Sequence, residues 1–175
     1  GRKIYNGPPR GGALTNARAV IKLATGLDEG KGYNGVQVNW DQAVKTMTDG
    51  SADAFLLPSS FPDGRHTRAV ASGKMTMWSM PKEVFESDAV QKYAKAPGSG
   101  KVEVPVASAI QAEGVTVVSE DGMFRGIATV GGEVVRKDMD EELAYKLTKA
   151  VLENLDAIKA KTPFLPNVAL GEIAD

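Results

Sequence analysis

The chain has no cysteine and a single histidine, His66, among its 175 residues. Disulfides, thiolate chemistry and cysteine-bound zinc are thereby excluded, and any metal site would need carboxylates and carbonyls. Long hydrophobic runs are missing as well. Nothing approaches the roughly 20 apolar residues that span a bilayer, so the sequence does not read as membrane-inserted. No signal peptide stands at its start. Nor is there an excess of either charge: 21 Lys and Arg against 22 Asp and Glu leave a formal net charge of −1. With no basic stripe interleaved with aromatics, no nucleic-acid partner is expected. His66 lies beside Asp63 and Arg65 without a nucleophile elbow of the Gly-x-Ser-x-Gly type anywhere in the chain. No catalytic residue, cofactor or metal is assigned.

What is present is an alternation of short strands and helices. Lys3 to Asn6 predicts a strand, and a helix follows over about Ala13 to Thr25. Its apolar positions Ala13, Ala17, Val20 and Ala24 keep helical spacing, widened by Leu14 and Ile21, and Gly26 stands where a helix-ending glycine belongs. Asp28 to Gly35 is a Gly-rich polar connector before a strand around Val36 and Val38. Asn39 and Gln42 form a capping-box pattern for a short helix closed by Gly50. Asp53 to Leu57 predicts a buried strand, running into the turn-rich loop Pro58 to Pro62. A helix over about Gly64 to Ala71, a strand over Met75 to Trp78 and a helix from Pro81 to about Tyr93 follow. Lys101 to Val135 is expected to be strands and turns. Asp138 and Glu141 form a second capping-box pattern. The helix behind it runs to about Lys159, with Leu143, Leu147, Ala150, Val151, Leu155 and Ile158 on one side. Trp40, Trp78 and Tyr93 read as core residues. Strands alternating with helices predict an α/β domain with a mixed, mostly parallel sheet flanked by helices.

Two loops carry the candidate chemistry. The loop Gly7 to Gly12 joins a strand to a helix. Its glycines let backbone approach a ligand, and the first N–H groups of the helix, together with the helix dipole, favour an anion such as a carboxylate. Arg10 adds a charge-assisted bond. Pro9, Arg10, Gly11, Gly12 and Ala13 are the candidate residues there. The alternative is a plain strand-to-helix turn. This loop has neither Gly-Lys-Ser/Thr nor Gly-x-Gly-x-x-Gly, so it is neither a P-loop nor a dinucleotide turn. The second loop follows the carboxyl end of a predicted parallel strand, the usual ligand position in open α/β sheets. Ser59 and Ser60 offer hydroxyls and Phe61 an apolar wall. The acids Asp138, Asp140, Glu141 and Glu142 are better explained by a helix dipole than by a cation.

Three stretches together carry a resemblance: Gly1 to Ala13, with its Gly7-Pro8-Pro9 turn; Trp40 to Phe55, a helix, Asp49-Gly50 and a strand; and Val134 to Ala150, an acidic-capped helix. They are similar to the TAXI family of solute receptors for tripartite ATP-independent periplasmic (TRAP) transporters. The resemblance implies a type II periplasmic-binding-protein-like lobe and an extracytoplasmic, periplasmic location. It implies a ligand such as glutamate, glutamine or 2-oxoglutarate, and TRAP permease membrane subunits as partners. The family's Gly-Pro-Pro loop carries over to Gly7 through Ala13, and its strand-end loop to Pro58 through Pro62. Where the family has Gly-Ser-Gly-Thr after the prolines, this chain has Arg10-Gly11-Gly12-Ala13. Two hydroxyl donors are replaced and an arginine is gained. Residues 1–128 are expected to be the ligand-binding lobe. Residues 129–175 are expected to be a hinge strand and a C-terminal helix returning toward an N-terminal lobe that this stretch of sequence does not contain. The rival readings are an α/β enzyme domain cradling phosphate and a periplasmic ligand sensor for a membrane signalling protein.

Overall fold

The computed structural model describes residues 1–56, 58, 75–109, 114–129 and 134–161. Strand β1 (Lys3–Tyr5) is the centre of a three-stranded parallel sheet, between β2 (Asn34–Val36) and β3 (Ala54–Phe55). Helix α1 (Gly12–Thr25) makes the crossover from β1 to β2 that parallel pairing requires. Tyr5 is fully buried and packs with Ala43 and Ala52, flanked by Val36, Val38, Met47 and Phe55. Pairing continues past the strand ends: Asn6 N–H donates to the Val36 carbonyl at 3.2 Å, and Leu56 N–H to that of Tyr5 at 2.8 Å. Asp53, expected inside the strand, lies just before it. Its carboxylate accepts the Lys3 N–H at 2.8 Å.

Leu14, Ala17 and Ile21 of α1 are buried, while Val20, Leu23 and Ala24 pack against a second cluster of Met80, Phe85 and Val90. Gly26 takes the left-handed conformation (φ 73°) and returns its N–H to the Lys22 carbonyl at 2.8 Å, ending the helix as expected. The capping box at Asn39 does not form. Trp40–Gln42 is a 3-10 turn, and the Gln42 N–H is taken by the Asn39 backbone carbonyl at 2.9 Å. The tighter i→i+3 bond does the work that the Asn39 side chain was expected to do. Helix α2 (Ala43–Thr48) follows.

The remaining described strands form two further two-stranded sheets rather than joining the first. Strand β4 (Met75–Trp78) pairs in parallel with β6 (Val115–Val118). Strand β5 (Ser99–Pro105) pairs antiparallel with β7 (Met123–Thr129) over seven residues. A short helix, α5 (Val106–Ala109), follows β5. Mixed α/β composition is thus present, with parallel pairing in two sheets and antiparallel pairing in the third. Ser79 ties β4 to β7: its hydroxyl donates to the Met123 carbonyl and accepts the Arg125 N–H, both at 2.9 Å.

The helix expected from Pro81 to Tyr93 is two helices, α3 (Lys82–Phe85) and α4 (Asp88–Ala94). Ser87 causes the break, because its hydroxyl caps the second helix at the Val90 N–H. Tyr93 is half-buried, and its hydroxyl donates to Asn16 Oδ1 at 2.9 Å, joining α4 to α1. Trp78 corrects the core expectation, since it is 69% exposed. Side chains alternate across a strand, and in β4 Met75 and Met77 take the inner face, leaving Thr76 and Trp78 outside. Every described residue up to Thr129 belongs to one compact unit.

The described residues from Val134 onward belong to a second unit. Among its described residues the helices are α6 (Glu141–Glu153) and α7 (Leu155–Lys161). Asp140, not Asp138, caps α6, accepting the Leu143 N–H at 2.9 Å. Asp138 is instead held by Arg136 through bonds of 2.8 and 2.6 Å. The predicted continuous helix breaks at Asn154, whose side-chain amide donates back to the Ala150 carbonyl at 2.8 Å. Of its expected apolar side only Leu155 is buried; Leu143, Leu147 and Val151 remain about half exposed.

Candidate functional site

The strand-to-helix loop is built by two backbone conformations that few residues adopt. Gly7 is buried with φ 110°, and a Cβ there would sit 3.1 Å from the Leu14 backbone nitrogen. Only a glycine lets the chain leave β1 and fold back onto the first turn of α1. Arg10, at φ 63°, is the only non-glycine with positive φ among the described residues. Pro8 and Pro9 precede it, and their fixed φ stiffens the approach.

Pro9, Arg10, Gly11, Gly12 and Ala13 are consecutive residues of this loop and helix start, with Pro9, Arg10 and Gly12 exposed. Gly11 occupies the N-cap in extended conformation (φ −106°, ψ 160°), and no side chain caps the helix. Its carbonyl takes the Leu14 and Thr15 N–H groups at 3.1 and 3.4 Å. The Gly12 and Ala13 N–H groups have no hydrogen-bond partner among the described residues. A Cβ placed on Gly12 would meet nothing within 4 Å. The turn is therefore open, with two free amides at the positive end of a 14-residue helix. Ser59, Ser60 and Phe61 lie outside the described residues, as do His66 and the helix expected over Gly64 to Ala71.

Behind the loop stands a polar cluster that sequence reasoning did not single out. The Glu29 carboxylate accepts from Asn6 Nδ2 at 2.7 Å, Arg18 Nε at 2.6 Å and Gln37 Nε2 at 2.9 Å. The Arg18 bond, helped by those from Asn6 and Gln37 and opposed by burial, holds the Glu29 carboxyl below the usual glutamate range. Asn6 and Tyr33 are buried. Burial pushes the Tyr33 phenol up, and the nearby amide of Asn6 opposes it only in part. Neither Asn6 Oδ1 nor the Tyr33 hydroxyl makes a well-formed hydrogen bond, and both are sealed from solvent. The signal in the sequence was an asparagine directly before a loop glycine. The cluster's other members, Arg18, Glu29 and Gln37, come from three separate segments, and no spacing rule joins them.

A cavity of about 450 Å³ opens beside this cluster, lined by Arg18, Asp28, Glu29, Gly30 and Tyr33, and not by the Gly7 loop. Gly30, Gly32 and Gly35 do carry the Gly-x-Gly-x-x-Gly spacing, which the Gly7 loop lacks. Here it runs into β2, with Gly35 inside the strand, instead of following a strand and opening a helix, so it does not present amides to a pyrophosphate. A Cβ on Gly32 would strike the Leu27 side chain, and one on Gly35 would strike Glu29, so these two positions serve packing.

A parallel β-α-β unit whose connecting loop offers unpaired amides is one of the arrangements on which α/β proteins hold anionic groups. The sequence model of the NMT1-like family matches residues 1–175, and the chain belongs to that family. It is a substrate-binding, periplasmic-binding-like family whose members are in general binding proteins and typically extracytoplasmic. No curated protein matches the chain. Among the described residues no helix is long and apolar enough to cross a membrane.

Proposed function

We propose that the protein is an extracytoplasmic receptor for a small carboxylate or amino acid of the glutamate, glutamine or 2-oxoglutarate kind, delivering it to a TRAP-type permease. The observation carrying this reading is the open turn at Gly11 to Ala13, with two unpaired amides at a helix start. The ligand carboxylate sits on these N–H groups, with Arg10 alongside and Pro9 shaping the approach. Ser59, Ser60 and Phe61 contact the rest of the ligand. Residues 1–128 act as the ligand-binding lobe of a type II fold. Residues 129–175 act as the hinge strand and the helix returning to a second lobe. The two hydroxyls that the TAXI pattern would supply are absent from this turn, so selectivity rests on backbone amides and Arg10.

Calorimetry with L-glutamate, L-glutamine and 2-oxoglutarate tests the reading. Binding of at least one is expected, and silence from all three and from other small carboxylates would end it. Arg10→Gly separates charge from loop shape. Glycine accepts φ 63° without the roughly 1–2 kcal/mol that a side chain pays there, which offsets its greater freedom in the unfolded chain. Stability is expected to stay within about 1 kcal/mol of wild type, while carboxylate affinity falls about tenfold with the lost charge-assisted bond. Unchanged affinity would remove Arg10 from the site.

A further inference from the structure

We infer that Glu29 is the positioning residue of the anion-binding loop: by holding Asn6 and Arg18 on one carboxylate, it fixes both ends of the Gly7–Gly12 turn. The inference rests on the reading of that turn as the ligand site. Asn6 is the last residue before the loop, and Arg18 belongs to the helix after it. Both donate to the same oxygen, Glu29 Oε2, at 2.7 and 2.6 Å. The other oxygen takes Gln37 Nε2 at 2.9 Å, tying in the exit of β2. One carboxylate thus gathers side chains from the end of β1, from helix α1 and from the exit of β2.

The seat of this carboxylate is made for it. It lies over Gly35, where a Cβ would collide with Oε1 and would stand 2.9 Å from Asn6 Nδ2. Asn6 itself is fully buried. With its Nδ2 committed to Glu29, its Oδ1 is left without a partner in a place water does not reach. Such an orphaned oxygen is tolerated while the strong bond on the other side holds the amide in place. Without an anionic acceptor at Glu29, the amide of Asn6 turns over to pair Oδ1. Gly7 and the turn beyond it then move with Asn6. Glu29 touches no ligand in this scheme; it acts through Asn6.

The test uses the full 175-residue chain, with Glu29→Gln, Glu29→Asp, Asn6→Ala and the Asn6→Ala/Glu29→Gln double variant. Amide resonances of Gly7, Gly11, Gly12 and Ala13 are followed by ¹H–¹⁵N spectroscopy. Affinity for L-glutamate is measured well below each melting temperature. Glu29→Gln is expected to displace those amide resonances and to weaken L-glutamate at least tenfold. Asn6→Ala should match it, and the double variant should be no weaker than either single one, as residues acting in series require. Glu29→Asp, which keeps the charge, should recover part of the affinity. A purely structural clamp would lower the melting temperature of Glu29→Gln but leave the loop amides and the affinity of the folded protein unchanged, and that result overturns the inference. Displaced amides with unchanged affinity, or additive losses in the double variant, overturn it too. If the wild type does not bind L-glutamate, that ligand assignment fails, and unmoved loop amides in Glu29→Gln would separately refute the positioning role.

Discussion

Replacing Gly7 with alanine is expected to cost about 2–4 kcal/mol of stability and to abolish the anion binding proposed for the loop. Two effects combine. At φ 110° any side chain is strained, and the added methyl would stand 3.1 Å from the Leu14 nitrogen and 3.3 Å from the Ala13 carbonyl carbon. Both neighbours are helix backbone, which has little freedom to yield. The first turn of α1 must therefore shift, and the Gly12 and Ala13 amides shift with it. In a chain of this size the melting temperature should fall by about 5–12 °C. A thermal melt and an L-glutamate titration read the two effects separately. A variant within about 1 kcal/mol of wild type would show that the tight turn is not required.

The second large effect is expected at Arg125. Its guanidinium is 2% exposed, and it bonds Asp121 twice, at 3.0 and 2.5 Å, and Glu103 at 2.7 Å. These bonds clamp the antiparallel β5–β7 pair and the turn before β7. The Arg125 hydrogen bonds hold the Asp121 carboxyl down to about 2, and Arg125 itself is held well above its ordinary value. A carboxyl depressed by folding contributes stability that is fully present above its ordinary value near 3.8 and is lost as pH falls through about 2. Arg125→Met should lower the urea midpoint clearly at pH 7, because two carboxylates lose their cation. The gap to wild type should close as the pH is taken from 4 to 2, since acid removes from the wild type what the variant already lacks. A gap that stays constant over that window would mean Asp121 does not draw its low value from Arg125. Both carboxylate partners are 38% exposed, so salt should narrow the gap as well.

Much of the local structure was legible because it depends on short-range rules. The strand at Lys3, the helix ending at Gly26 and the strand at Met75 all follow from periodicity and from a glycine or proline at the right place. The failures came where two local rules competed. At Asn39 a backbone 3-10 bond displaced the side-chain cap, and at Ser87 a second cap split a helix whose apolar pattern ran on. At Asp138 the capping-box spacing, met only by Asp138 with Glu141, pointed to the wrong aspartate. Asp140 took the role because Arg136 had already engaged Asp138. Trp78 was misplaced because a four-residue strand alternates its faces, and nothing in Met75-Thr76-Met77-Trp78 says which face is the inner one.

By itself the sequence determined the class of fold, the strand–loop–helix unit and the candidate turn at Gly7 to Ala13, because those depend on residues adjacent in the chain. The tertiary structure alone decided that the described strands divide among three sheets, that Arg125 is a buried clamp and that Glu29 gathers Asn6, Arg18 and Gln37. Those arrangements are made by groups from distant segments meeting in space. Their pairing energy depends on distance and burial, neither of which a linear pattern encodes.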